Sequence, residues 1–441
     1  MTYKKQILLF LLTLSPFVGF AEDATVKTSP PLSKIPKERE PPSKLGMSTN
    51  PSTVNITTGT GDLGKYIFRI PENSPLTVGG VLISDGDVVF AGGNKEFSPW
   101  SGNNLLILDA SLDFEKLIKI KGGLLGAEFL QFNGMNSNAT AGSLQGFDSM
   151  SVLPPFDRSE LYQLWYRQSL FDDLLIIRIG KTVPTLDFNN VSQPIPVQDL
   201  SRAIPSVSGL LYTPIFINPV NIGVMPGYYN SAYGITVNVS PVKNFYVTGG
   251  VYDGNLARGK QLGLTGPHFN GYYFSAYETG VNWLAGQEKK PGIMAIGAWF
   301  QTGKLSIPGV VTQQGAQGTY LFGSQRVWFH KPGIDNSGIS VFWQLGYNHA
   351  KTLPMNQFLG GGFTAFALTR PFDSFGMGLA CSRLNHRIFS QKFEVMIQAY
   401  YQAHLFLQTY LEPVITYIPN PGAAPHLPQT WTATLQMINL F

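Results

Sequence analysis

From about Gly59 onward the chain is a succession of short runs in which apolar and polar positions alternate, punctuated by clusters of Gly, Pro, Asn and Asp. In "ISVFWQLGYN", Ile339, Val341, Trp343, Leu345 and Tyr347 fall on one face. Ser340, Phe342, Gln344, Gly346 and Asn348 fall on the other. A period of two is that of a β-strand with unlike faces. It recurs in "ELYQLWYRQS", "LLIIRIGK", "SAYGITVNVS", "GYYFSAYETGVNW", "GIMAIGAWFQTG" and "TWTATLQMINLF". Several runs have the roughly 9 to 11 residues with which a tilted strand crosses a membrane. At about 24 residues per strand and loop, the roughly 380 residues available predict about 16 strands, an even number suited to a bacterial barrel.

Alternation alone fits either a soluble sandwich, with its apolar face in a protein core, or a membrane barrel, with that face in lipid. Composition separates the two. Charged residues make up 13% of the chain, about half the usual share of a soluble domain. Aromatic residues are another 13%, and 47 of the 441 residues are glycine. Past the N-terminus no apolar run reaches the roughly 18 residues of a membrane helix. The nearest approach, "VSGLLYTPIFINPVNIGVM", is broken by Pro214, Asn218, Pro219 and Asn221. Membrane-like composition without membrane-length runs is what a closed barrel produces. The expected fold is therefore all-β, an antiparallel transmembrane β-barrel of outer-membrane type.

The N-terminus sets the compartment. Lys4 and Lys5 precede an apolar stretch from Ile7 to Phe20, and Gly19 and Ala21 place small residues before a cut after Ala21. That is the anatomy of a cleaved secretory signal peptide. Three segments are predicted: a signal at 1–21, a proline- and charge-rich disordered periplasmic arm at 22–58, and the barrel at 59–441. The chain ends in "WTATLQMINLF", an alternating strand closing on Phe441, which resembles the signal read by the outer-membrane assembly machinery. Between strands, "FALTRPFDSFG" is short enough for a periplasmic turn. "DFNNVSQPIPVQDLSRAIPSVSG" and "SIPGVVTQQGAQGTYLFG" are long enough for external loops or an inward-folded constriction.

Little points to chemistry or to nucleic acid. The net charge is +4, and +2 without Lys4 and Lys5. The single Cys381 excludes an intramolecular disulfide, and the six histidines are scattered without ligand spacing. There is no G-x-S-x-G, H-E-x-x-H or phosphate-binding glycine loop. The expectation is a non-enzyme without metal or cofactor.

Several motifs, in order, resemble the carbohydrate-selective porins of the OprB family. They are "GDLGKYIFR" with "GGVLISDGDV", then "LLILDASLDFEKLIKIKGGLLGAEFLQFNG", then "ELYQLWYRQSLFDDLLIIRIGKTVPTLDF". "PGIMAIGAWFQTG", "TRPFDSFGMGLACSRLN" and "LEPVITYIPNPG" follow in the family's order. The resemblance implies an outer-membrane channel of a Gram-negative-type bacterium that passes small sugars. Its surroundings would be outer-membrane lipid and lipopolysaccharide, and a homotrimer is an open arrangement. Arg167 stands where that family often has a carboxylate, and Gln398 where glutamate is common; both departures bear on specificity.

A sugar channel needs aromatic faces for C–H surfaces and polar groups for hydroxyls, all on the lumen side of strands. A charge facing the hydrocarbon midplane costs about 2 to 4 kcal/mol, so Arg167 must point inward and carries Trp165 and Gln163 with it. The same argument turns Arg178 and Glu278 inward. Trp299 and Gln301 follow because Met294, Ile296, Ala298 and Phe300 take the lipid face, and Gln344 faces the lumen from the strand opening at Ile339. Alternative functions are a general or differently selective diffusion porin, a surface adhesin barrel, an outer-membrane hydrolase and a soluble secreted β-protein.

Overall fold

The computed structural model describes residues 63–71, 73–94, 100–151, 157–189, 191, 209–227, 230–242, 244–260, 266–332, 337–370 and 372–441. The expected signal peptide and arm lie outside the described residues, as does most of the expected long loop "DFNNVSQPIPVQDLSRAIPSVSG". Sixteen strands follow one another in the chain. The first eight are β1 (Leu76–Ala91), β2 (Ser101–Asp113), β3 (Gly123–Asn133), β4 (Arg158–Leu170), β5 (Leu175–Thr182), β6 (Ala232–Val242), β7 (Phe245–Asp253) and β8 (Tyr273–Ala285). The second eight are β9 (Lys290–Ile307), β10 (Val311–Phe329), β11 (Gly338–Asn348), β12 (Met355–Phe366), β13 (Ser374–Leu384), β14 (Phe393–Phe406), β15 (Thr409–Ile418) and β16 (Thr430–Leu440). Each pairs antiparallel with its sequence neighbours, and β1 with β16 closes the barrel. Closure leaves no unpaired edge, which is what hydrocarbon demands of backbone N–H and C=O groups.

The closing seam runs from Val81 opposite Leu440 to Ala91 opposite Trp431. Phe441 extends it by a reciprocal pair with Gly80, at 2.7 and 2.9 Å. A Cβ on Gly80 would lie 2.5 Å from the Phe441 ring, so glycine is what lets the terminal aromatic lie against β1.

From β3 to β9 the connections alternate between long and short. Residues 171–174, 286–289 and 407–408 are tight turns at one end, where Phe171, Asp172 and Asp173 all adopt positive φ. The β12–β13 turn is short as expected, and Asp373 N donates to Arg370 O at 3.3 Å within it. The β2–β3 turn carries α1 (Phe114–Ile118), whose N-terminus is capped by Asp113 accepting from Glu115 N and Lys116 N. At the other end, the described parts of two connections, residues 134–151 and residues 183–189 with 209–227, fold into the barrel. Residues 134–157 join β3 to β4 and contain α2 (Ser137–Ala141); residues 183–231 join β5 to β6 and contain short 3₁₀ turns.

The faces are inverted relative to a soluble protein. Leu379 and Ile415 are 40% and 53% exposed on the outside, whereas Glu394 and Gln398 are 0% exposed on the inside. The strand from Ile339 follows the rule: Leu345 and Tyr347 are exposed while Ser340, Gln344 and Asn348 are buried.

One loop expectation is overturned. "SIPGVVTQQGAQGTYLFG" is not a loop: β9 and β10 continue through it and turn over Pro308–Val310. Val311 pairs with Ile307 and Gln313 with Leu305, and a bulge between Gln314 and Ala316 absorbs Gly315 at φ 59°. The stretch reads as loop because its outward positions, among them Thr312, Gln314, Gln317 and Thr319, are polar and exposed. Backbone pairing persists where the aliphatic signal stops.

Candidate functional site

The inward faces of β4 and β5 hold the first group of residues. Arg167 and Arg178 are opposite one another in register. Arg178 is paired with Asp187 at the start of the 183–231 segment, and Thr236 Oγ1 donates to the same carboxylate at 3.1 Å. Burial pushes the Asp187 carboxyl above its ordinary range, while the Arg178 charge opposes that shift. Arg167 lies 4.0 Å from Asp173 of the adjoining turn. Trp165 packs against Gly126 of β3, where a Cβ would stand 2.0 Å from the indole, so Gly126 is the seat of that ring. Gln163 Nε2 donates to Glu128 at 2.7 Å, and its oxygen accepts from Val183 N at 3.2 Å.

A second group faces it from β7 to β11. Glu278 accepts from the Tyr246 and Tyr320 hydroxyls at 2.6 and 2.9 Å and from Asn189 N at 2.7 Å. A single carboxylate thus ties two walls to the inserted segment. Trp299 stacks on Phe274 with centroids 6.3 Å apart and planes 28° from parallel. Gln301 Nε2 donates to Gly254 O at 3.1 Å. Gln344 Nε2 lies 3.5 Å from Ile215 O of the inserted segment.

All eight residues chosen from the alternation therefore lie on the inward face and are buried. Their roles differ. Gln163 uses both ends of its amide on protein partners, whereas Gln301 and Gln344 donate only Nε2 and their Oε1 atoms have no hydrogen-bond partner among the described residues. Trp165 Nε1, Trp299 Nε1 and Arg167 Nε have no hydrogen-bond partner among the described residues. All three are buried donors, two of them on β4 and the third on β9.

Sequence reasoning missed a carboxylate group on the β1 side. Asn103 Nδ2 donates to Asp87 at 3.2 Å and to Asp148 at 3.3 Å. Ser137 and Thr434 donate to Asp87 at 2.6 and 2.5 Å, and Gln436 donates to Asp85 at 3.2 Å. Asp148 belongs to the 134–157 segment; burial, reinforced by Asp85 and Asp87, pushes its carboxyl well above the ordinary range. It also missed Glu394 of β14, which accepts from Ser143 Oγ, Leu144 N and Gln145 N at 2.8 Å each and from Gly422 N at 2.7 Å. The signal was present: an acid inside an alternating apolar strand must face inward, the rule that placed Arg167.

Comparison with known proteins agrees with this architecture. The family model described as carbohydrate-selective porin, OprB family, matches residues 103–437. Porin B of Pseudomonas aeruginosa is 22% identical over 381 residues, covering 76% of this chain and 80% of that protein. The structure of Pseudomonas putida OprB at high pH superposes with a TM-score of 0.71 at 18% identity, covering 88% of this chain and 99% of that one. The low-pH structure of the same protein gives 0.56 at 14% identity, covering 87% and 98%. With the family's pattern running through three quarters of its length, on a barrel of the same architecture, this chain belongs to the carbohydrate-selective porin family, OprB.

Proposed function

We propose that this protein is an outer-membrane channel for the passive, sugar-selective diffusion of small carbohydrates. The observation that carries the reading is a closed barrel with an apolar outside and an inside that bears the indoles of Trp165 and Trp299 beside Arg167 and Arg178. Both indoles are packed in the wall, so in this proposal a sugar meets them where the lining yields, its C–H surface against the rings and its hydroxyls against the indole and guanidinium N–H groups. The family is described as carbohydrate-selective, and the relative in P. aeruginosa carries the name porin B. A channel fold accounts for the chain without any bond-breaking step. Export through cleavage after Ala21, and assembly through the terminal strand that ends on Phe441, complete the proposal.

One observation favours a second reading, a general or differently selective diffusion porin. Gln163, Gln301 and Gln344 each commit Nε2 to a protein acceptor, which leaves fewer polar donors to a solute. Single-channel conductance in a planar bilayer, with glucose, maltose-type oligosaccharides and an amino acid titrated in turn, separates the two. Saturable block by sugar, weakened by Trp165→Ala and by Arg167→Ala, supports the first reading. Conductance indifferent to every sugar supports the second, and no conductance from folded protein rejects both.

A further inference from the structure

Gln398 sits on the inward face of β14, opposite Gly378 of β13 and Thr416 of β15, and is fully buried. Its side chain meets both inserted segments. Oε1 accepts from Leu211 N at 2.5 Å and Tyr212 N at 3.0 Å, both in the 183–231 segment. Nε2 donates to Phe147 O at 2.9 Å, in the 134–157 segment, and to Thr416 Oγ1 at 2.8 Å. All four hydrogen-bonding positions of the amide are thereby used. The segments also bond to each other at this point, Ser149 N to Leu211 O and Thr213 N to Gly146 O, each at 2.9 Å.

We infer that Gln398 is a positioning residue that sets the aperture of the channel, because one amide clasps both inserted segments where they cross and holds the crossing against β14. This rests on the channel reading given above. The amide is specifically required. Two backbone N–H groups converge on one of its atoms, which must accept, and a carbonyl faces the other, which must donate. A carboxylate keeps the grip on Leu211 and Tyr212 but opposes oxygen to the Phe147 carbonyl. An apolar chain of the same length loses both grips while filling the same space.

Gln398→Glu is the test, with Gln398→Met as a second variant of matching length that adds no charge. Folding is checked by the heat-dependent shift in gel migration. Three results are expected from folded Gln398→Glu: more open-channel current noise, a liposome-swelling rate for disaccharide that rises several-fold relative to monosaccharide, and faster hydrogen exchange at Ser149 N and Thr213 N while Leu211 N and Tyr212 N stay protected. Gln398→Met should release all four amides. If the variants merely melt at lower temperature, with wild-type noise, swelling ratio and exchange, the residue stabilises the wall only and the inference is overturned. Wild-type protein that does not conduct would instead strike at the channel reading.

Discussion

Replacing Glu394 by glutamine should loosen the 134–157 segment without opening the barrel. Four donors converge on this carboxylate, Ser143 Oγ and Gln145 N on one oxygen and Leu144 N and Gly422 N on the other. Glutamine keeps one accepting oxygen and presents an NH₂ group to the other pair. Two buried donors then lose their partner, at about 1 to 3 kcal/mol each, or about 2 to 6 kcal/mol together. Gln145 Nε2 to Glu394 O, at 2.9 Å, survives because it uses the backbone. The barrel ladders, which satisfy the strand backbones independently, are untouched. The cost therefore falls on local opening rather than on global unfolding. Since about 1.4 kcal/mol is a factor of ten, amide exchange at the affected pair, Leu144 and Gly422 or Gln145, should quicken by at least about 30-fold. Exchange at mid-strand amides such as Leu379 should not change. Hydrogen exchange by mass spectrometry on detergent-solubilised protein reads both. Wild-type rates throughout residues 143–145 and at Gly422 would refute the claim that Glu394 fastens this segment.

Two further outcomes follow from the same geometry. Leu379→Arg places a charge on the outer face near the middle of β13 and should cost about 2 to 4 kcal/mol, measured as a shift in urea unfolding from vesicles; a shift under about 1 kcal/mol would mean that this face does not meet hydrocarbon. Asp148→Asn concerns a carboxyl whose pKa is raised in the fold by burial, with Asp85 and Asp87 adding to the rise. A raised acid contributes its stability in full at low pH and loses it as pH climbs from the ordinary carboxylate range through the raised value. The asparagine variant should accordingly resist heat better than the parent at neutral pH, and the gap should close on acidification; a gap that is constant with pH would remove the electrostatic cause.

Why some of this was legible in the sequence and some was not is a matter of how far each signal reaches. Strand faces are set by nearest-neighbour alternation, and one charge fixes their direction: Arg167 turned Gln163 and Trp165 inward, and Arg178, Glu278 and Trp299 followed the same parity into the interior. Applied evenly, the rule would also have found Asp85, Asp87, Glu394 and Glu412, all buried on inward faces. The β9–β10 hairpin escaped because its upper half has continuous backbone pairing but no alternation in hydrophobicity, so Gln313 and Gln317 read as loop while their strands stay paired on both sides of the bulge. A long connection that could fold inward was visible after β5, but the contacts of the inserted segments were hidden for a deeper reason. Leu211, Tyr212, Ile215 and Phe216 are apolar residues without a strand or helix period, broken by Pro214, and their burial depends on partners far away along the chain. Gln398 reaches Leu211 across 187 positions and Phe147 across 251. Nothing local announces such a contact, since an uncharged glutamine on an inward face is unremarkable until both segments are folded against it. The barrel is written in short-range periodicity, whereas its aperture is written in a few long-range hydrogen bonds from the wall to the segments inside, and these are the bonds that perturbation of Glu394 and Gln398 addresses.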